Sequence, residues 1–581
     1  MREQWEYKPF YWLSPSGREK VWGALGGYSI GHEHRSVIDA VSIVLERLAQ
    51  VDYPYDIVQL RWSKGDNGRP DEGVMNAVRD WNTKYVYPRL IIATTSEAFH
   101  DFEQRYGAKP PTFRGDLTPY WEDGTGSAAR ETVLNRHPAD RLLQAETLWA
   151  MQGPRQFPFA DIAAAWKNVA LWSEHTWGAH NSVREPDLPF VTAQWRFKQA
   201  FAKDADRQSQ TLLDKVLLGR PRFGSSAGWD VFNTTSWPRT DLGTLPKETK
   251  GDGVKDEQGN VVPSQRLSTG ELAFLARDIP PFAAKWFVVD ESAPPGGHAQ
   301  VEGAALRTPA LSVRLDETTG AIASLRQAGL AAELANGQIN NYLYLPGADV
   351  KDAKPNGSAK LSVKEAGPLV VSLVAESKAL GCENLVREVR VLDGLDRVEI
   401  IDSMDKTPVR AVEGVHFGFA FNVPNPEVRI NSPGAVVRSQ QDQLPGACKN
   451  WFSVERWVDI SNKDYGVTWG TADAPLVEIG GLTANLPRKQ PNPNAYMKHI
   501  APAATLYSWV MNNHWHTNYR ADQEGWVTFR YAIHPHGIYD AGAAARCGIE
   551  NTQPLIVAPA VGRGRLDRAS ALNRPKSLPR R

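Results

Sequence analysis

The spacing of apolar residues changes twice along this chain, and each change narrows what the segment can fold into. Up to about residue 110, short apolar runs alternate with segments of helical period. Ser36 and Asp39 form a capping pattern, and Val37, Ile38, Val41, Val44, Leu45 and Leu48 then share one helical face. A β-like run at Ile57, Val58 and Leu60 leads into the turn-rich loop Lys64-Gly65-Asp66-Asn67-Gly68-Arg69-Pro70. Residues 72–82 read as a helix, Leu90 to Ile92 as a buried strand, and Thr94 to Tyr106 as a capped helix. Such alternation predicts a parallel sheet or barrel, whose loops after the strands carry chemistry.

From 111 to about 222 the period is helical throughout. Leu134, Leu142, Ala145, Leu148 and Trp149 fit one face. Asp161 is placed to cap a second helix that aligns Trp166, Val169, Ala170, Ser173 and Trp177, and residues 190–218 make a third. Three helices with short links predict a small bundle. From about 223 the period is two. Leu311, Val313 and Leu315 alternate with polar residues before the Glu317-Thr318-Thr319-Gly320 turn, and Ile322 to Leu325 returns. Val389 and Val391, the Asp393-Gly394 turn, then Val398 and Ile400 repeat the pattern. The fold class is therefore multidomain α/β plus β. Its expected divisions are an α/β part over 1–110, a helical part over 111–222, a small β domain over 223–300, a β-sandwich domain over 301–560 and a disordered basic tail over 561–581.

A length of 581 residues fits three or four such domains. Lys plus Arg and Asp plus Glu both total 66, so no charge excess points to nucleic acid, a membrane surface or a polyanion. Three cysteines, Cys382, Cys448 and Cys547, make no disulfide framework or thiolate metal site. No apolar run reaches the length of a transmembrane helix, and Met1 to Tyr7 lacks the apolar core of a signal peptide. Trp is abundant, at 20 residues against 6 Met, which suits both core packing and stacking on the flat faces of sugars.

Local motifs leave several sites open. Gly27-Tyr28-Ser29-Ile30-Gly31 and Gly224-Ser225-Ser226-Ala227-Gly228 match the nucleophile-elbow pattern of serine hydrolases. However, four residues separate the first match from its helix cap, where an elbow enters its helix at once. The pairs His32/His34, His514/His516 and His534/His536 could each clasp a metal from one face of a strand, but each lacks a third local ligand. Asp66, in a loop after a strand, could act as a general acid/base, although turns favour aspartate for structural reasons too.

Longer motifs carry a resemblance. Gly115-Asp116-Leu117-Thr118-Pro119-Tyr120-Trp121-Glu122-Asp123-Gly124 with Ser127 to Glu131, Trp166-Lys167-Asn168 with Glu174-His175-Thr176-Trp177-Gly178-Ala179, Val231 to Thr234 with Ser236-Trp237-Pro238, Leu315 to Ile322, and Asn512 to Tyr519 resemble, in this order, the bacterial α-mannosidases of glycoside hydrolase family 38. The similarity runs over about residues 8–560. It implies a seven-stranded β/α barrel, here present in part and ending near 110, a three-helix bundle and a mutarotase-like β-sandwich region. It also implies zinc-dependent, retaining hydrolysis of terminal α-mannosides, with one zinc per site. By that resemblance His175 matches the bundle's zinc ligand and Asp66 the acid/base carboxylate, although Asn67 stands where many relatives carry a second Asp. Asn513, Trp515 and His516 would border the sugar.

The family's early His-x-Asp zinc motif does not occur before Asp66, and the segment Lys8-Pro9-Phe10-Tyr11-Trp12 resembles the family downstream of the nucleophile. The expectation is a chain cut at both ends, lacking two zinc ligands and the nucleophile, with little or no hydrolase activity of its own. A non-catalytic carbohydrate-binding remnant is the rival, and a serine esterase built on Ser29 is a third reading. The expected partner is an α-mannoside or other carbohydrate, with no nucleic acid and no membrane.

Overall fold

The computed structural model describes residues 8–24, 36–63, 68–117, 121–152, 157–174, 177–219, 228–290, 297–483, 496–513 and 518–561. These form two compact units, one of residues 1–118 with 441–447 and one of the remainder.

In the first unit, Ser36 caps the helix Val37–Gln50 by accepting the Asp39 amide, and Val37, Val41, Val44 and Leu48 are buried on one face. The helix Thr95–Tyr106 starts in a full capping box. Thr94 accepts the Glu97 amide while the Glu97 carboxylate accepts the Thr94 amide, which satisfies two otherwise orphaned donors. Between them lies the helix Gly73–Lys84. The strand Pro9–Leu13 pairs antiparallel with Lys20–Ala24 and parallel with Thr112–Arg114, which makes a three-stranded sheet of mixed direction.

The expected strands at Ile57–Leu60 and Leu90–Ile92 do not form. The backbone amide and carbonyl of Leu90 are both held by the Asn82 side chain, at 2.9 and 2.8 Å, in place of a neighbouring strand. Ile91 and Ile92 are exposed. Three consecutive apolar residues read as a buried strand only when another strand is there to pair with them.

The second unit begins with the 3-10 helix Glu122–Ala128, which runs into the helix Ala129–Gln152. Phe159–Trp172 and Pro189–Leu218 pack beside it, and Leu142, Ala145, Ile162, Ala165, Val169, Ala205 and Leu212 close one core. Asp161 lies in the first turn of its helix but makes no cap. The helix stops at Trp172, so Trp177 is not in line with its face.

A five-stranded and a three-stranded sheet follow within 228–290, the first completed by Ile556–Pro559. Beyond them a ten-stranded and a nine-stranded sheet pack face to face among the described residues. The hairpin of Leu311–Leu315 and Ile322–Gln327 forms as expected. Asp316 accepts the amides of Thr318 and Thr319 across its turn, and Gly320 takes φ +74°. Cys382–Leu392 and Val398–Lys406 form the second hairpin. On the strand Glu413–Phe421, alternate residues Val415, Phe417, Phe419 and Phe421 are fully buried between the sheets. Phe419 stands edge-on to Trp469 at 5.3 Å, and Trp469 stacks on Tyr531. The chain is thus mixed α/β with most of its structure in sheets.

Candidate functional site

Of the five residues singled out for chemistry, Asp66, His175, Trp515 and His516 lie outside the described residues, as do Ser29, Ser226, the His32/His34 pair and His514. Asn513 is described. It ends the strand Thr505–Asn513, is fully buried, and donates to the carbonyls of Ala521 at 2.9 Å and Val409 at 3.2 Å. Its oxygen accepts from Gln523 at 3.1 Å. The amide is therefore committed to fixing a strand end.

The described residues that flank His175 and those that flank Trp515 and His516 meet at one place. Trp177 and Gly178 follow the segment that holds His175, and Asn518 and Tyr519 follow the one that holds Trp515 and His516. A Cβ on Gly124 would run into the Trp177 ring and stand 2.7 Å from Tyr519 Cε1, while a Cβ on Gly178 would collide with the Asn518 carbonyl. Only glycine lets these backbones and rings close on one another. Trp177 itself has φ +43°, an unusual conformation for a bulky side chain, and is buried in this contact. Ser182 Oγ donates to the Tyr519 carbonyl at 2.5 Å, which ties the two chain segments a second time.

The 3-10 helix is the hub of this arrangement. Asn512 donates to the Asp123 carbonyl at 2.7 Å. Gln523 donates to the Gly126 carbonyl and accepts the Ala129 amide, both at 2.8 Å. The Tyr519 hydroxyl lies 2.9 Å from Asp123 Oδ1 and 3.0 Å from the Trp121 carbonyl. Burial pushes the Asp123 carboxyl up to about 7, against the lowering effect of the Tyr519 hydrogen bond, and nearby Glu122 adds to the rise. Burial and then the Asp123 charge push the Tyr519 phenol far above its ordinary value, so it keeps its proton. Glu174, the residue before His175, is engaged by Lys198, whose Nζ donates to its carboxylate at 2.7 Å and to its carbonyl at 3.1 Å.

Asp123, Asn512 and Tyr519 lie within motifs that carry the family resemblance but, like Gln523, are given no part in the chemistry by the sequence. They sit in stretches without apolar period, and the signal that marks them is a polar, glycine-rich run, Glu122 to Ser127, at the entrance of a long helix.

Among the described residues, the pair His534/His536 is joined by no third His, Cys, Asp or Glu in a group that could hold a metal ion. Burial, with a smaller push from Arg397, lowers His534 to about 3 and keeps it neutral. Burial also opposes the charge on His536, but Asp459, 2.8 Å from its Nε2, prevails and raises its pKa. Among the described residues, no three His, Cys, Asp or Glu side chains stand together in a way that could hold a metal ion.

Comparison with known proteins bears on the fold. No protein-family model and no curated protein sequence matches the chain. Solved structures do. An α-mannosidase from Enterococcus faecalis V583 superposes with a TM-score of 0.71 at 13% identity, over 96% of this chain and 72% of the other. The fold is that of glycoside hydrolase family 38. A second structure, a protein in glycosyl hydrolase family 38 from Enterococcus faecalis, gives a TM-score of 0.70 at 14% identity, over 96% of this chain and 73% of its own. At such identity the family 38 likeness is one of backbone architecture.

Proposed function

We propose that the chain is a glycoside hydrolase of the zinc-dependent, retaining α-mannosidase type, built to recognise terminal α-mannosides. The observation that carries this reading is the meeting at Gly124 of the residues that flank His175 with those that flank Trp515 and His516, within a family 38 fold that spans nearly the whole chain. In this reading Asp66 is the carboxylate that protonates the leaving oxygen and later activates water. Asn513 holds the strand end beside Trp515 and His516, which border the sugar. The reading divides the chain at 110, 222, 300 and 560, into a partial β/α barrel, a three-helix bundle, a small β domain, a mutarotase-like sandwich region and a tail.

A complete zinc centre needs three or four donors. His175 supplies one imidazole, and the described residues offer no three-donor group to join it. Affinity for zinc depends on the number of ligands, so we assign no step of the reaction to the metal. These 581 residues are accordingly expected to bind mannosides and to turn them over slowly or not at all, which keeps a non-catalytic carbohydrate-binding role as the second reading. Isothermal titration with methyl α-mannoside, run beside hydrolysis of an aryl α-mannoside, separates the cases. Binding with turnover supports the hydrolase and removes the expectation of inactivity. Binding without turnover favours the second reading, and the absence of both overturns the proposal.

A further inference from the structure

One phenolic proton faces two acceptors at the hub. The Tyr519 oxygen stands within hydrogen-bonding distance of both Asp123 Oδ1 and the Trp121 carbonyl. When Asp123 is neutral, its own proton can be donated to the Tyr519 oxygen, and Tyr519 then donates to Trp121, so both contacts are hydrogen bonds. When Asp123 is ionised, the tyrosine proton is drawn to the carboxylate, and the bond from Tyr519 to Trp121 is lost. Trp121 precedes the 3-10 helix and also accepts the Gly124 amide at 3.0 Å, so this bond fixes the turn on which Trp177 and Tyr519 pack.

We propose that Asp123 and Tyr519 are positioning residues of the carbohydrate site, and that the neutral Asp123 carboxyl holds Trp121, Trp177 and Tyr519 in the arrangement that binds sugar. This rests on the mannoside reading above. It adds the residues that set the site's shape and the protonation state in which that shape is held.

The surroundings favour the neutral form. Asp123 is buried, and its carboxyl is raised to about 7. Glu122 on the same helix opposes the negative charge, and Cys448, itself pushed up to about 11, is neutral. Of the elements packed on this helix, the strand Thr505–Asn513 brings Tyr507, and Leu476–Ile479 brings Glu478, which is paired with His416 at 3.1 Å. The helix Ala129–Gln152 brings Arg130 and Glu131, the latter held by Gln199 at 2.6 Å. The Asp123 carboxyl is hydrogen-bonded by Tyr519 and by the backbone amides of Asp123 and Gly124, which favour its ionised form, but burial outweighs them.

The test is calorimetric titration of the full chain with methyl α-mannoside from pH 5 to 9, for the native protein, Asp123→Asn and Tyr519→Phe. The ionised form lacks the bond from Tyr519 to Trp121, so native affinity is expected to fall about tenfold between pH 6 and pH 9. A histidine donor such as His175 gives the opposite sign, because it loses binding as pH drops, and the two effects cannot be confused. Asp123→Asn mimics the neutral carboxyl and is expected to keep its affinity from pH 7 to 9. Tyr519→Phe removes the link and is expected to weaken binding about tenfold at pH 6. If the native protein binds mannoside without a fall above pH 7, or Asp123→Asn shows the same fall, the positioning role is overturned and the mannoside reading stands. If the native protein binds no mannoside at any pH, both are overturned.

Discussion

Replacing Gly124 by alanine would drive one methyl group into the contact that joins the two chain segments of the candidate site. The new carbon would stand 2.7 Å from Tyr519 Cε1 and 2.9 Å from Cζ, and would overlap the Trp177 ring. Carbon atoms settle at about 3.5 Å or more, so Tyr519 would have to retreat by about 0.8 Å and Trp177 by more. Neither can move alone. Tyr519 is bound to Asp123 and Trp121, its carbonyl accepts from Ser182, and Trp177 is already in a left-handed conformation. Overpacking of this kind costs about 1–3 kcal/mol. Because several domains unfold in this chain, a single midpoint would blur the effect, and amide hydrogen exchange is the better assay. The amides of 124–131 and 505–513 are expected to exchange about 5- to 150-fold faster in Gly124→Ala, while those of the strand Cys382–Leu392 are unchanged. Protection at 124–131 that stays within about twofold of the native value would refute the argument that these rings close on a glycine.

Two further outcomes are open to direct measurement. Burial opposes the charge on Asp473, but His137 and Arg530 overcome it and hold the carboxyl at about 2, below the ordinary 3.8. The stability this brings is present above about pH 4 and is lost as pH falls through 2. Asp473→Asn should therefore cost on the order of 2 kcal/mol at pH 7 and blunt the acid transition, and an unaltered acid titration of tryptophan fluorescence would count against it. Thr94→Ala removes the capping box of Thr95–Tyr106 and should cost about 1 kcal/mol, read as faster proteolysis at 90–97, with Thr94→Ser close to native.

What the sequence made legible follows from where the stabilising groups sit. Ser36, Thr94 and the Asp316 to Gly320 turn are local devices, in which each side chain bonds the backbone within three residues, and all three were readable. The alternation along Leu311–Leu315 and Cys382–Leu392 was readable because one face of each strand meets a single large core. Leu90 to Ile92 misled, because its backbone partner is the side chain of Asn82 on the preceding helix. Asp161 misled because the helix begins two residues earlier, at Phe159, which leaves Asp161 inside the first turn rather than at the cap. The hub was hidden for the same reason at longer range. Nothing within reach of Asp123 along the chain shows that its partner is Tyr519.

That separation bears on the order of synthesis. Asp123 and Tyr519 are 396 residues apart, and Gln523 reaches Ala129 across 394. At about 5–20 residues per second, a ribosome takes roughly 20–80 s to deliver the second half of each contact after the first. Until then Glu122 to Ala128 has a helix behind it and no strand to close on, and its polar backbone must be kept by water. The helices of 129–218 can pack as they emerge, but the candidate site cannot close until the chain has reached Tyr519 and Gln523. Pulse-labelled nascent chains stalled before Gln523 should carry protected helices and no mannoside affinity.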